Sequence, residues 1–493
     1  MSSSERLRMG TKLGFGVGAI SEGAIVIAFN SWNFLFYNQV LGLSGTLAGL
    51  AVTISLILDG LSDPVVGSIS DRWRSKLGRR HPFLYAAPIP LALSFYCLYS
   101  PPAGLSGISL FLWFTLFATL HRQALTLYQV PHLALGAELS NDYHQRSIVM
   151  SYATLFAVVG GAGTAFWGWT WFSHHPGGTT AQANYVAIGA AVGLTSALSI
   201  FLSAYFTRDQ IPRLKQPVAD IPPFSLRQLS REIIDCVANA NYRNLLLGMF
   251  ALSATIGVLE TLQSYVSLFF WHLPEKTIRV FSLATPPAFI LAFIVTVRLH
   301  RRYDKRSTLI GALYVLVFAV ATPISARLLG IFPSTPKGAF PLLMLFLFLF
   351  YGALAVITIT VLSALADVAD EHELNTGRRQ EGVFYAARVL FAKLSTGLGH
   401  ILAGLAIDII QFPPHAKPGA VAHDVLVKLG LVQGPLAAIP AIIAIYFYRR
   451  YTIDRQRHDQ IQTALAERRK ATGGGDRGSE PAGAPGSIET API

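Results

Sequence analysis

Charge is what this sequence has least of. Only 13% of its 493 residues are Asp, Glu, Lys or Arg, against roughly 25% in an ordinary soluble domain. A chain this long would make about two to four soluble domains, and so few charges could not coat them. Cysteine is nearly missing too. Cys97 and Cys236 are the only two, which excludes a disulfide-stapled secreted scaffold. No His-Glu-x-x-His zinc signature, Gly-x-Ser-x-Gly elbow or phosphate-binding loop occurs, so an enzyme is not expected. The glycine-rich stretches at 14–18 and 160–163 follow no strand, and close helix packing explains them better than nucleotide binding.

What is abundant is apolar sequence, 52% of the chain. Spanning a bilayer takes about 20 such residues in a helix. Twelve runs qualify, at 17–39, 46–69, 82–100, 107–135, 148–172, 184–206, 244–270, 280–298, 308–329, 339–365, 383–410 and 425–448. The expected fold is therefore an all-α integral membrane protein with 12 transmembrane helices in two pseudo-symmetric six-helix bundles. The first bundle covers 1–206 and the second 244–448. Between them, 207–243 forms a cytoplasmic linker with a surface helix at Leu226–Asn239, and 449–493 forms a cytoplasmic tail, disordered from about 471. The first run reads as a retained span, because 1–12 lacks the short apolar core and small-residue cleavage site of a signal peptide.

The 39 Lys+Arg exceed the 27 Asp+Glu, and the formal charge is +12. With both termini in the cytoplasm, 30 of the 39 basic residues fall on the cytoplasmic side. Lys276, Arg279, Arg327, Lys337, Lys417 and Lys428 fall on the other, and Arg122, Arg388 and Lys393 lie within spans. The bias obeys the positive-inside rule and places the chain as a multi-pass protein of the cell membrane. The excess charge thus reports topology. No basic face with interleaved aromatics is present, so no nucleic-acid partner is expected. A weak internal repeat supports two halves, since the loop after the second span of each combines Asp with clustered Arg, at 70–80 and 298–306.

Ionisable residues inside spans are costly and mark function by default. Here they are Glu22, Asp59, Asp63, His121, Arg122, Glu260, Arg388, Lys393, His400 and Asp408. Asp59 and Asp63, four apart, share one helix face. Two buried carboxylates cannot comfortably both be charged unless a cation or proton joins them. Ser62, Thr126 and Gln129 offer further oxygens, a set that suits Na⁺ or H⁺ and not zinc or copper. Lys393 is the expected mobile counter-charge. Arg122 and Glu260 are expected as a pair across the halves, Glu22 as a substrate-facing or cavity-lining acid, and His132 as a satisfied structural histidine.

Four segments carry a family likeness. They are 37–44 closing the first span, 59–67 running on to Ser70-Asp71-Arg72 and Gly78-Arg79-Arg80, 130–142 with Arg146, and 366–382 entering the eleventh span. In this set and order the chain resembles the glycoside-pentoside-hexuronide:cation symporters, the melibiose-permease-like branch of the major facilitator superfamily. The resemblance implies a cation site at Asp59, Asp63, Ser62 and Thr126, with Lys393 as the coupling lysine. The family's galactoside-binding aspartates and arginine fall on Gly23, Gln129 and Thr154, so the galactoside machinery is not retained. Substrate contacts are expected instead from Glu22, Gln129, Arg122 and Arg388. Asp71, Arg72, Arg79 and Arg80 are expected to gate the cytoplasmic side.

The function implied is cation-coupled symport of a sugar or related small solute by alternating access, working as a monomer with no cofactor beyond Na⁺ or H⁺. A cation-coupled carrier of lysolipids or other amphiphiles is the alternative, since a lipid-carrying branch of the family shares these motifs.

Overall fold

The computed structural model describes residues 7–140, 142–214, 231, 234–333, 335–377 and 381–473. Among them, twelve long helices follow one another: α1 Met9–Val40, α2 Gly45–Arg72, α3 His81–Tyr99, α4 Gly107–Glu138, α5 Tyr143–His174 and α6 Gln182–Thr207. The second set is α7 Ala240–Phe270, α8 Glu275–Arg302, α9 Lys305–Leu328, α10 Pro336–Thr376, α11 Glu381–Ile409 and α12 His423–Tyr448. Eleven are long and apolar enough to cross a bilayer by composition alone. The twelfth, α4, has the length at 32 residues, but His121, Arg122, Gln123, Gln129 and His132 dilute its apolar character. Starts are set locally. Ser44, Asp142, Asn239 and Thr335 each cap a helix by accepting from the backbone N–H three residues on.

The surface helix expected at Leu226–Asn239 lies mostly outside the described residues, as does the tail beyond 473. Two features differ from the sequence reading. Helix α10 does not stop at 365 but runs for 41 residues, about 60 Å at the helical rise and twice the apolar thickness of a bilayer. Past Pro341 it meets no proline and one glycine, and it ends where Gly377, at φ 72°, turns left-handed. The motif at 366–376 is thus helix, not loop. The tail also begins as a helix, α13 Arg455–Gly473, which buries Ile461 and Leu465 against the second half.

The halves repeat one packing plan. Helix α1 packs on α5 and α6, α2 on α4, and α3 on α4 and α6; correspondingly α7 packs on α11 and α12, α8 on α10, and α9 on α10 and α12. Even the ends of α1 and α7 match. Each closes in a π turn, Phe36–Val40 and Val266–Phe270. In each, a left-handed residue follows, Gly42 at φ 73° in one and His272 at φ 51° in the other. The first half uses glycine where the second strains a histidine.

Contact between the halves runs mainly through α2 with α11, α1 with α7 and α5 with α8. On the face opposite the termini these contacts form a seal. Asp408 of α11 accepts the Gly45 and Thr46 backbone N–H groups of α2 at 2.7 and 2.8 Å. Thr53 donates to the Gly397 carbonyl at 2.7 Å, Ser264 to the Ser31 carbonyl at 2.6 Å, and Tyr265 to Asn38 Oδ1 at 2.5 Å.

Candidate functional site

Near mid-membrane, α2, α4 and α11 bring the expected charges together. Lys393 Nζ lies 2.8 Å from Asp59 Oδ2 and 2.6 Å from Asp63 Oδ2, so one ammonium from the second half bridges two acids of the first. Thr126 faces the other pair of oxygens, 2.6 Å from Asp59 Oδ1 and 3.2 Å from Asp63 Oδ1. Its single hydroxyl proton serves one acid at a time. Arg122 adds a second cation 3.7 Å from Asp59 Oδ2, held by Ser55 at 3.0 Å and lying over the Phe29 ring. Two carboxylates and two cations balance, which is the condition for keeping such charges away from water.

Ser62 stands apart: its hydroxyl donates to the Asp59 carbonyl at 2.9 Å, a local helix bond. Arg122 lies 3.7 Å from Asp59 and within electrostatic reach of Glu260 as well, which lines the cavity between the halves. Ser55 was missed as a member of the site, and the signal that marks it is that Ser55, Asp59 and Asp63 continue one i, i+4 stripe. Neither polar periodicity nor composition marks Asp408 as a cap for another helix.

Beside this cluster lies a cavity of about 430 Å³ between the halves, adjoined by one of about 240 Å³ that shares Ser31, Gln263 and Tyr351. Glu22 and Gln129 form its wall on the first half, with Gln129 Nε2 donating to Glu22 Oε2 at 3.2 Å. Gln263, Ser264 and Ser267 of α7 supply the opposing amide and hydroxyls, and Trp169, Phe281 and Tyr351 supply rings. These last six residues escaped the sequence reading, since which face of an apolar helix looks inward depends on its neighbours. His132 sits behind Glu22, its Nδ1 3.4 Å from Oε1, stacked between Phe15 and Tyr128 and bonded through Nε2 to the Phe15 carbonyl. Neither Arg122 nor Arg388 is among the lining residues; Arg388 lies within electrostatic reach of Tyr242 and Tyr448 inside the second half.

Gly23 has a reason of its own. A Cβ there would overlap the Ala157 carbonyl oxygen of α5, so no larger side chain fits while α1 and α5 pack this closely. Thr154, farther along α5, is exposed and bonds back to the Met150 carbonyl at 3.0 Å.

The residues expected as a gate on the terminal side are clamped within the first half. Arg80 reaches Asp71 at 2.5 Å, Glu138 at 2.8 Å and Ser70 at 2.7 Å, while Arg79 reaches Glu138 at 2.9 Å. Arg72 closes the last turn of α2. The second half has a counterpart, where Lys305 of α9 meets Asp367 of α10 at 2.6 Å. Each basic loop therefore ties to an acid at the far end of its own half's fourth helix.

Residues 14–455 match a family described as MFS/sugar transport protein. An uncharacterized symporter of Synechocystis sp. is 24% identical over 95% of this chain and 98% of its own length. The isoprimeverose transporter of Lactiplantibacillus pentosus is 20% identical over 92% of this chain and 93% of its own. Among solved structures, the xylose transporter of E. coli in its inward open conformation superposes with a TM-score of 0.62 at 13% identity, covering 92% of this chain and 98% of that one.

Proposed function

The chain belongs to the MFS/sugar transport protein family, a family of membrane transporters, and from that premise we propose that it couples a cation, Na⁺ or H⁺, to movement of a sugar-like solute. One observation carries the reading. Lys393 of the second half bridges Asp59 and Asp63 of the first, at 2.8 and 2.6 Å, so the coupling charges are also a bond between the halves. A cation that enters beside Thr126 replaces the ammonium's compensation and releases that bond. The two bundles then rock about the central cavity. Losing the cation without Lys393 returning leaves Arg122 as the one counter-charge for two acids in a low dielectric, which penalises the unloaded intermediate and enforces coupling.

The cavity supports a small polyol. Glu22, Gln129, Gln263, Ser264 and Ser267 offer acceptors and donors to hydroxyl groups, while Trp169 and Tyr351 offer flat faces to the C–H side of a sugar ring. With the termini cytoplasmic, as the charge bias implies, the Asp408 and Ser264 seal is extracellular and this conformation faces inward.

The test is uptake by proteoliposomes under an imposed Na⁺ or proton gradient, with labelled pentosides, hexosides and lysolipids offered in parallel. The expected result is uphill accumulation of a sugar, abolished in Asp59→Asn and Asp63→Asn. Undiminished accumulation in both variants refutes the coupling role, and lysolipid uptake in place of sugar uptake refutes the solute.

A further inference from the structure

A second concavity, of about 520 Å³, lies between α8, α9 and α10 and shares no lining residue with the solute cavity. Its walls are apolar, including Leu291, Val295, Leu299, Val315 and Phe348. Small residues make the space: a Cβ added at Gly311 or Gly352 would meet nothing within 4 Å. From Ala288 to Tyr303 the groove follows α8 for about 22 Å at the helical rise, more than the roughly 15 Å depth of one leaflet's hydrocarbon. Thr308 lines it near one end, 5% exposed, and its hydroxyl has no hydrogen-bond partner among the described residues.

Cations cluster beside that same end. Arg302 is exposed, its guanidinium 5.8 Å from the ring of Tyr303, which lines the groove. Arg306 is exposed and precedes the lining residue Ser307. Arg455 of α13 arrives from the tail and donates to the His300 and Arg301 carbonyls at 2.9 and 3.1 Å. The nearby acids in sequence are Asp304 and Asp454, fewer than the cations, and Lys305 is already paired with Asp367.

We propose that this groove holds one anionic phospholipid, with an acyl chain between α8, α9 and α10 and its phosphate on Arg302, Arg306 and Arg455. An apolar slot as deep as a leaflet fits a chain, and a cationic mouth at the headgroup level fits a phosphate. A second copy of this protein is a poorer occupant, because symmetric docking would bring two cationic mouths together.

The experiment is native mass spectrometry of the full chain in detergent, titrated with phosphatidylglycerol or phosphatidylcholine. One phosphatidylglycerol is expected to be retained at energies that strip phosphatidylcholine. Arg302→Gln with Arg306→Gln, both exposed and safe for folding, should weaken phosphatidylglycerol retention on the order of tenfold and leave phosphatidylcholine unchanged. Gly311→Leu with Gly352→Leu, which fills the slot, should abolish retention of both. Equal retention of the two lipids by the unaltered protein, or phosphatidylglycerol retention that survives the Arg substitutions, overturns the proposal. So does a lipid-free dimer that the slot-filling pair dissociates, since a second copy then covers the groove.

Discussion

Asp408 should set the balance between the two faces of the transporter. Its carboxylate accepts the first two N–H groups of α2 from across the interface, at 2.7 and 2.8 Å, and every alternation between faces must part them. A side-chain cap contributes about 0.5–2 kcal/mol, and a carboxylate at a helix N-terminus adds about 0.3–1 kcal/mol through the dipole. Removal of both in Asp408→Ala therefore costs the sealed state about 2 kcal/mol, a population shift of about thirtyfold. Asp408→Asn keeps one acceptor oxygen and loses the charge, so about 1 kcal/mol and a shift of about fivefold are expected. The assay uses a single thiol. With Cys97 and Cys236 replaced, Ser267→Cys places it in the cavity wall at the level of the seal, where Ser267 is 2% exposed. A membrane-impermeant maleimide applied from the face opposite the termini should label it faster in proportion to these shifts. If Asp408→Ala leaves the labelling rate within about twofold of the starting protein while melting several degrees lower, the carboxylate merely holds α2 together and the gating argument fails.

Three other outcomes follow from the same geometry. Lys393→Met removes the bridging ammonium from Asp59 and Asp63, a loss of about 3–5 kcal/mol unless a cation or proton substitutes; its melting temperature should rise far more on adding Na⁺ or on acidification than the starting protein's does, and an equal rise in both would count against the lock. Gly23→Ala pushes a methyl into the Ala157 carbonyl and should destabilise by about 1–3 kcal/mol, read as a lower melting temperature with loss of uptake; a neutral result would mean that α1 and α5 separate easily. His272→Gly relieves a left-handed φ of 51° and should stabilise by about 1 kcal/mol, whereas any destabilisation would show that the imidazole makes a contact worth more than the strain.

Much of the site was legible because a membrane makes charge conspicuous. Asp59, Asp63 and Lys393 each stand out from apolar runs, Thr126 was singled out through the family resemblance, and the structure gathers all four within hydrogen-bonding distance. The polar wall of Gln263, Ser264 and Ser267 was not legible, since uncharged polar residues are ordinary in transmembrane helices and only the neighbouring half defines which face is lined. That Arg122 serves two acids, Asp59 at 3.7 Å and Glu260 within electrostatic reach, was likewise not legible, since it depends on how α4 sits between α2 and α7.

The sequence by itself determined the class of molecule, the number of spans and the location of the acid pair, because hydropathy over about 20 residues and i, i+4 spacing are local properties of a helix. Tertiary structure alone decided what those charges do to one another. That Lys393 ties the halves, that Asp408 seals one face, and that Gly23 is forced to be small all depend on helix-to-helix approach. In a bilayer that approach is set by close van der Waals packing between distant segments, a quantity no single segment carries.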